Sequence, residues 1–127
     1  MQNKPIPFHL SNVNHGLAEV QGLIHIKKNH LILEFEIKDA LGGFIKSDLK
    51  EIDIPFDEIE SLTYKKGLWG ASVKIEGNSM RTFEEIPESE QGRCELKIKR
   101  KDRNEAEKSI SSARVALSEF KLNKLDE

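Results

Sequence analysis

Between Ala18 and Ile98 the apolar residues recur at every second position in a series of short runs, and after Asp102 the spacing lengthens to three and four. A period of two marks strands with one covered face, and a period near 3.6 marks a helix. In the last quarter of the chain Ala106, Ile110, Ala113, Leu117 and Phe120 form one helical stripe. The spacing predicts a single helix of about 18 residues. With no second helix to pack against, its stripe has to lie on the sheet. Asp102 with Glu105, and Asn104 with Glu107, have the spacing of a capping box, and Lys121 and Lys124 suit the negative end of the helix dipole.

The plainest pair of strands spans residues 18–37. Ala18, Val20, Gly22, Ile24 and Ile26 share one face, and after Lys28-Asn29 so do Leu31, Leu33, Phe35 and Ile37. Asn tolerates positive φ, so Lys28-Asn29 reads as a tight turn that pairs Ile26 with Leu31. Further strands are expected at Lys50–Pro55, Ile59–Lys66, Trp69 to Ile75 (with Trp69 in step with Ala71, Val73 and Ile75), Met80–Phe83 and Arg93–Lys101. Gly42-Gly43 reads as a break, and Pro55, lacking an amide donor, ends its strand. Residues 1–15 read as an N-terminal arm with at most one short edge strand through Phe8, Leu10 and Val13, residues 16–122 as the domain, and 123–127 as a polar tail. The expected fold is mainly β with one C-terminal α-helix: about seven antiparallel strands in a barrel or orthogonal sandwich, capped by the helix.

A length of 127 residues suits one domain. One cysteine, Cys94, excludes an internal disulfide framework and points to a reducing compartment. No apolar stretch has the length of a secretory signal or a transmembrane helix, so the expectation is a soluble cytoplasmic protein. Net charge is −2, but residues 93–127 carry ten basic and seven acidic side chains, net +3, against −5 for residues 1–92.

The hairpin 18–37, the stretch Ile52-Asp53-Ile54-Pro55-Phe56-Asp57-Glu58-Ile59, and the helix after the basic strand Lys97-Ile98-Lys99 together resemble the pleckstrin-homology-like fold, which includes GRAM domains and short bacterial proteins. The resemblance covers about residues 16–122. Its helix carries Leu117 and Phe120 where the eukaryotic members usually have tryptophan, which is similar to the divergent bacterial branch. The resemblance implies a phosphate-type head-group site at the first, third and sixth inter-strand loops. Here those are Lys27-Lys28-Asn29-His30, Pro55-Phe56-Asp57-Glu58 and Glu84 to Gly92. Carboxylates at Asp57, Glu58, Glu84, Glu85, Glu88 and Glu90 outnumber Lys27 and Lys28, and like-charge repulsion opposes a phosphoinositide there.

A second surface joins the loop Ala40 to Lys46 with the loop Lys65 to Gly70. Leu41, Phe44, Leu68 and Trp69 rimmed by Lys46, Lys65 and Lys66 suit a protein partner or an anionic membrane surface; the alternative is that Phe44 and Trp69 fold inward and cap the core. Basic residues from Arg93 to Arg103 lack interleaved aromatics, so nucleic acid is not the expected partner and a solvated or subunit-facing surface is. His25 and His30 face one side of the first hairpin without a third ligand, a poor metal signal. Cys94, in step with Leu96 and Ile98, reads as a small apolar packing group. Paired carboxylates such as Glu84-Glu85 sit in a polar loop where nothing raises a pKa, as general acid catalysis needs. The expected function is therefore a non-catalytic interaction module, without cofactor or metal, that binds a protein partner or its own copies through loops and strand edges. The alternative is a peripheral membrane module using Phe44, Leu68 and Trp69 with Lys46, Lys65 and Lys66.

Overall fold

The computed structural model describes residues 4–13, 15–39 and 49–126. Among them, seven antiparallel strands form one sheet: β1 (Ile6–Val13), β2 (Ala18–Ile26), β3 (His30–Asp39), β4 (Lys50–Pro55), β5 (Ile59–Lys66), β6 (Gly70–Gly77) and β7 (Arg93–Lys99), followed by helix α1 (Arg103–Leu125). Strand order is β4-β3-β2-β1-β7-β6-β5. Two meanders, β1–β4 and β5–β7, thus meet along β1 and β7. That seam is thin. Its register consists of His9↔Lys97, whereas β2 and β3 pair without a break from Ala18↔Asp39 to Ile26↔Leu31.

One face of the sheet carries the core. Val20, Ile24, Leu31, Leu33, Phe35, Val73, Ile75, Leu96 and Ile98 are buried there in one cluster with Ala106, Ile110, Ala113 and Leu117 of α1, which packs chiefly against β5. Phe120 sits at the margin, edge-on to Phe56 with ring centroids 5.9 Å apart. The hairpin forms with Ile26 opposite Leu31, and Lys27 N–H donates to the His30 carbonyl at 2.9 Å to close it. It does so without left-handed backbone at Asn29; among the described non-glycine residues positive φ falls on His15, Glu88 and Gln91.

Four expectations are corrected. The sheet is not closed into a barrel: β4 and β5 are its two edges, joined by the 3-10 turn Phe56–Glu58, and α1 lies along β5, where Lys121 Nζ donates to the Glu60 carbonyl at 2.6 Å. The N-terminal segment is an interior strand, not an arm or edge: Ile6, Phe8 and Leu10 are buried opposite Ile24, Gly22 and Val20, and that burial outweighs the two prolines. Gly22 permits the fit, since a Cβ there would run into the Phe8 ring and the Glu34 carbonyl. Met80–Phe83 is a run of turns. The Thr82 hydroxyl donates to the Ser79 carbonyl at 3.0 Å and Arg81 N–H to the Ser79 hydroxyl at 3.1 Å, local bonds that displace ladder pairing. Finally, α1 begins from a 3-10 turn, Arg100–Asp102, so Asp102 has helical backbone and makes no side-chain cap; the helix also runs to Leu125, through residues expected to be tail.

Candidate binding groove

Strands β5 and β6 are joined by a two-residue turn. Gly67 N–H donates to the Gly70 carbonyl at 2.7 Å, which leaves Leu68 and Trp69 outside the ladder. They are 74% and 79% exposed. Trp69 therefore does not continue the buried alternation of Ala71, Val73 and Ile75, and it does not cap the core. Gly70 lets β6 come close to β7; a Cβ at that position would collide with the Ile98 carbonyl. Helix α1 holds the tip from the other side. Arg103 Nη1 donates to the Gly67 carbonyl at 2.8 Å, and the Tyr64 hydroxyl donates to the Arg103 carbonyl at 3.0 Å. Burial pushes the Tyr64 hydroxyl above its ordinary pKa, with Glu107 adding to the effect and Arg103 opposing it.

Beside this tip lies an open groove of about 600 Å³. Leu68 and Trp69 form its lip, Lys65, Lys97, Lys99 and Arg100 line it, and His9 and Ser72 lie in its floor. The floor is a row across four strands on the face away from α1, Lys65↔Ser72↔Lys97↔His9. Glu95 is the carboxylate of the lining, and it is already engaged: Lys97 Nζ donates to its Oε1 at 2.7 Å. That hydrogen bond is the main reason its carboxyl titrates below the ordinary range, against an opposing contribution from burial.

His9 is half-buried and its Nδ1 has no hydrogen-bond partner in the protein. Burial lowers its pKa, Lys99 and Lys97 lower it further, and Glu19 opposes them. Those neighbours show where it stands. On the same sheet face β2–β4 carry Glu19, Glu34, Glu36, Glu51 and Asp53 with Lys38, while β5–β7 carry Lys65, Lys74, Arg93, Lys97 and Lys99 with Glu76 and Glu95. Acidic groups thus predominate on one half of this face and basic groups on the other, with His9 on the boundary.

Of the seven residues expected to share a surface, Lys65, Lys66, Leu68 and Trp69 come together at the β5–β6 tip, and Leu41, Phe44 and Lys46 lie outside the described residues. Sequence reasoning treated the tip and the basic run Arg93–Arg103 as separate. The pairing Gly70↔Lys99 puts them side by side, so an aromatic does accompany the basic strand, supplied by its neighbour. It also missed His9 and Arg100 as groove residues. Alternation with Phe8 and Leu10 places His9 on the outer face, but nothing local says that β1 lies beside β7.

The other candidates lie away from this groove. Lys27 and Lys28 are exposed, and His30 Nδ1 lies 2.6 Å from Asp53 Oδ1. Phe56 N–H donates to the Asn29 carbonyl at 2.9 Å, which joins this turn to the acidic turn Phe56–Glu58. His25 Nε2 is 3.4 Å from Glu34 Oε1. Among the described residues no group of three or more His, Cys, Asp and Glu side chains is arranged to hold a metal, and no helix is long and apolar enough to cross a membrane. Cys94 is buried, and burial pushes its thiol up to about 12. Compared with protein-family models, curated proteins and solved structures, the chain matches none.

Proposed function

We propose that this chain is a non-catalytic interaction module of pleckstrin-homology-like architecture that binds a protein partner, its own copies included, at the β5–β6 tip and the basic groove beside it. Two meanders of four and three strands followed by one packed helix support the architectural part of the reading. One observation carries the functional part: Leu68 and Trp69 stand exposed over a groove lined by Lys65, Lys97, Lys99 and Arg100. An exposed aromatic beside an aliphatic side chain, with arginine and lysine around them, has the make-up of an interface centre. Affinity capture from native lysate tests it, with immobilised wild type compared with Trp69→Ala and the bound proteins identified by mass spectrometry, alongside light scattering at high concentration for self-association. Partners retained by wild type and lost from the variant support the proposal. A monomer that retains identical proteins with and without Trp69 defeats it.

The adjacency of Leu68 and Trp69 at a hairpin tip flanked by Lys65 and Lys66 also favours a second reading, docking on an anionic membrane surface. Flotation with anionic liposomes decides that reading. Salt-sensitive binding lost in Trp69→Ala supports it, and absence of binding removes it.

A further inference from the structure

The groove does not end at His9. A second cavity of about 210 Å³ continues beyond it, lined by Pro7, His9, Gln21, Lys99, Lys101 and Asp102. His9 and Lys99 belong to both, so the two form one trough that starts at Trp69, crosses β7 at the seam with β1, and ends where the chain enters α1. Among the described residues two buried side-chain polar atoms have no hydrogen-bond partner in the protein, His9 Nδ1 and Asp102 Oδ2, and both residues line this second cavity.

We infer that the trough takes an extended acidic peptide segment of a protein partner, with an apolar side chain against Trp69, carboxylates over Lys65, Lys97, Lys99 and Arg100, and a main-chain amide at the Asp102 end. This deepens the proposed function and rests on it. The choice of a peptide follows from the mixed polarity of the lining. A compact polyphosphate would satisfy the lysines but would also meet the carboxylates of Asp102 and Glu95 in the lining. A peptide carries both signs of hydrogen-bonding group: its N–H groups donate to Asp102, its carbonyls and carboxylates accept from the lysines, and His9 serves as donor or acceptor according to tautomer. The dimensions agree. Crossing adjacent strands about 4.8 Å apart and reaching the lip requires an extended segment of about four to six residues at roughly 3.3 Å each.

Trp69 is the sole tryptophan of the chain and forms the lip, so its fluorescence reports occupancy directly. The probes are a capped Leu-Glu-Asp-Leu-Glu-Glu hexapeptide, its Gln/Asn counterpart without charge, inorganic tripolyphosphate, and phosphatidylserine/phosphatidylcholine vesicles. The expected result is a saturable blue shift with the acidic peptide, with affinity reduced about tenfold or more by removal of the peptide charges, by high salt, or by Lys99→Glu. Lys99 is exposed, and far-UV circular dichroism checks that the variant is folded. Absence of a saturable shift, equal affinity for the uncharged peptide, or no loss in Lys99→Glu overturns the inference. Tighter binding of tripolyphosphate or of vesicles than of the peptide overturns it in favour of a phosphate ligand or a membrane. If native partners are lost with Trp69→Ala while the hexapeptide does not bind, the interaction surface stands and only the acidic-peptide assignment falls.

Discussion

Replacing Trp69 by alanine should leave the fold almost untouched. Side chains of this size bury about 150–250 Å² when fully enclosed. Trp69 is 79% exposed, so about a fifth of that area, some 50 Å² at most, is covered. At about 25 cal/mol per Å² the loss is about 1 kcal/mol or less. A tryptophan capping the core would instead cost about 3–5 kcal/mol on truncation. Urea unfolding followed by far-UV circular dichroism, which does not need the tryptophan, separates the two. With a slope of about 1–3 kcal/mol per molar, the midpoint should fall by no more than about 0.3–1 M, with the slope unchanged. In the wild-type protein, quenching of Trp69 by acrylamide should be nearly as effective before unfolding as after it. A midpoint lowered by the equivalent of 3 kcal/mol or more, or a native tryptophan shielded from quencher, would refute the exposed lip and with it the groove.

Gly22→Ala should lower stability by about 1–3 kcal/mol, because its new methyl meets the Phe8 ring and the Glu34 carbonyl inside a continuous ladder; an unchanged melting temperature would show that β1 does not pack there. Cys94 has a thiol pushed up to about 12, so only ~10⁻⁴ of it is thiolate near pH 8. Native protein should react with Ellman's reagent far more slowly than protein in urea, and similar rates would contradict the burial. His9 has a pKa lowered from 6.5, so the unfolded chain takes the proton more readily. Its contribution to stability is full above about pH 6.5 and is lost as pH falls through the native value. His9→Gln should therefore flatten the difference in urea midpoint between about pH 7.5 and about pH 5, and an equal slope in the variant would assign the pH dependence to other groups. Truncating Phe56 and Phe120 singly and together should yield a coupling energy of about 0.5–1.5 kcal/mol for their edge-to-face contact, and additivity would exclude it.

Strand positions were legible because alternation is a local signal. The bounds of 18–26, 50–55 and 59–66 read from the sequence coincide with β2, β4 and β5, and the stripe Ala106–Ile110–Ala113–Leu117 is the buried face of α1. The misreadings share a cause. At Met80–Phe83 alternation over four residues competes with side-chain hydrogen bonds from Ser79 and Thr82, and the short-range bonds prevail. At Trp69 the pattern continued one residue beyond the strand, because a two-residue turn leaves no alternating position to fill. At the N-terminus Pro5 and Pro7 suggested a loose arm, while the partners that bury Ile6 and Phe8 lie in β2.

By itself, then, the sequence determined that seven or so strands precede one helix, which face of each strand is apolar, and that the acid and the base are separated along the chain. Only the tertiary structure decided which strands are neighbours. Backbone hydrogen bonds between strands are indifferent to side chains, so period-two segments do not encode their order; burial of the apolar faces in one shared core does. That order makes the N-terminal strand the middle of the sheet, sets a mainly acidic half of one face beside a mainly basic half, and places Trp69 of one hairpin beside the lysines of the next strand.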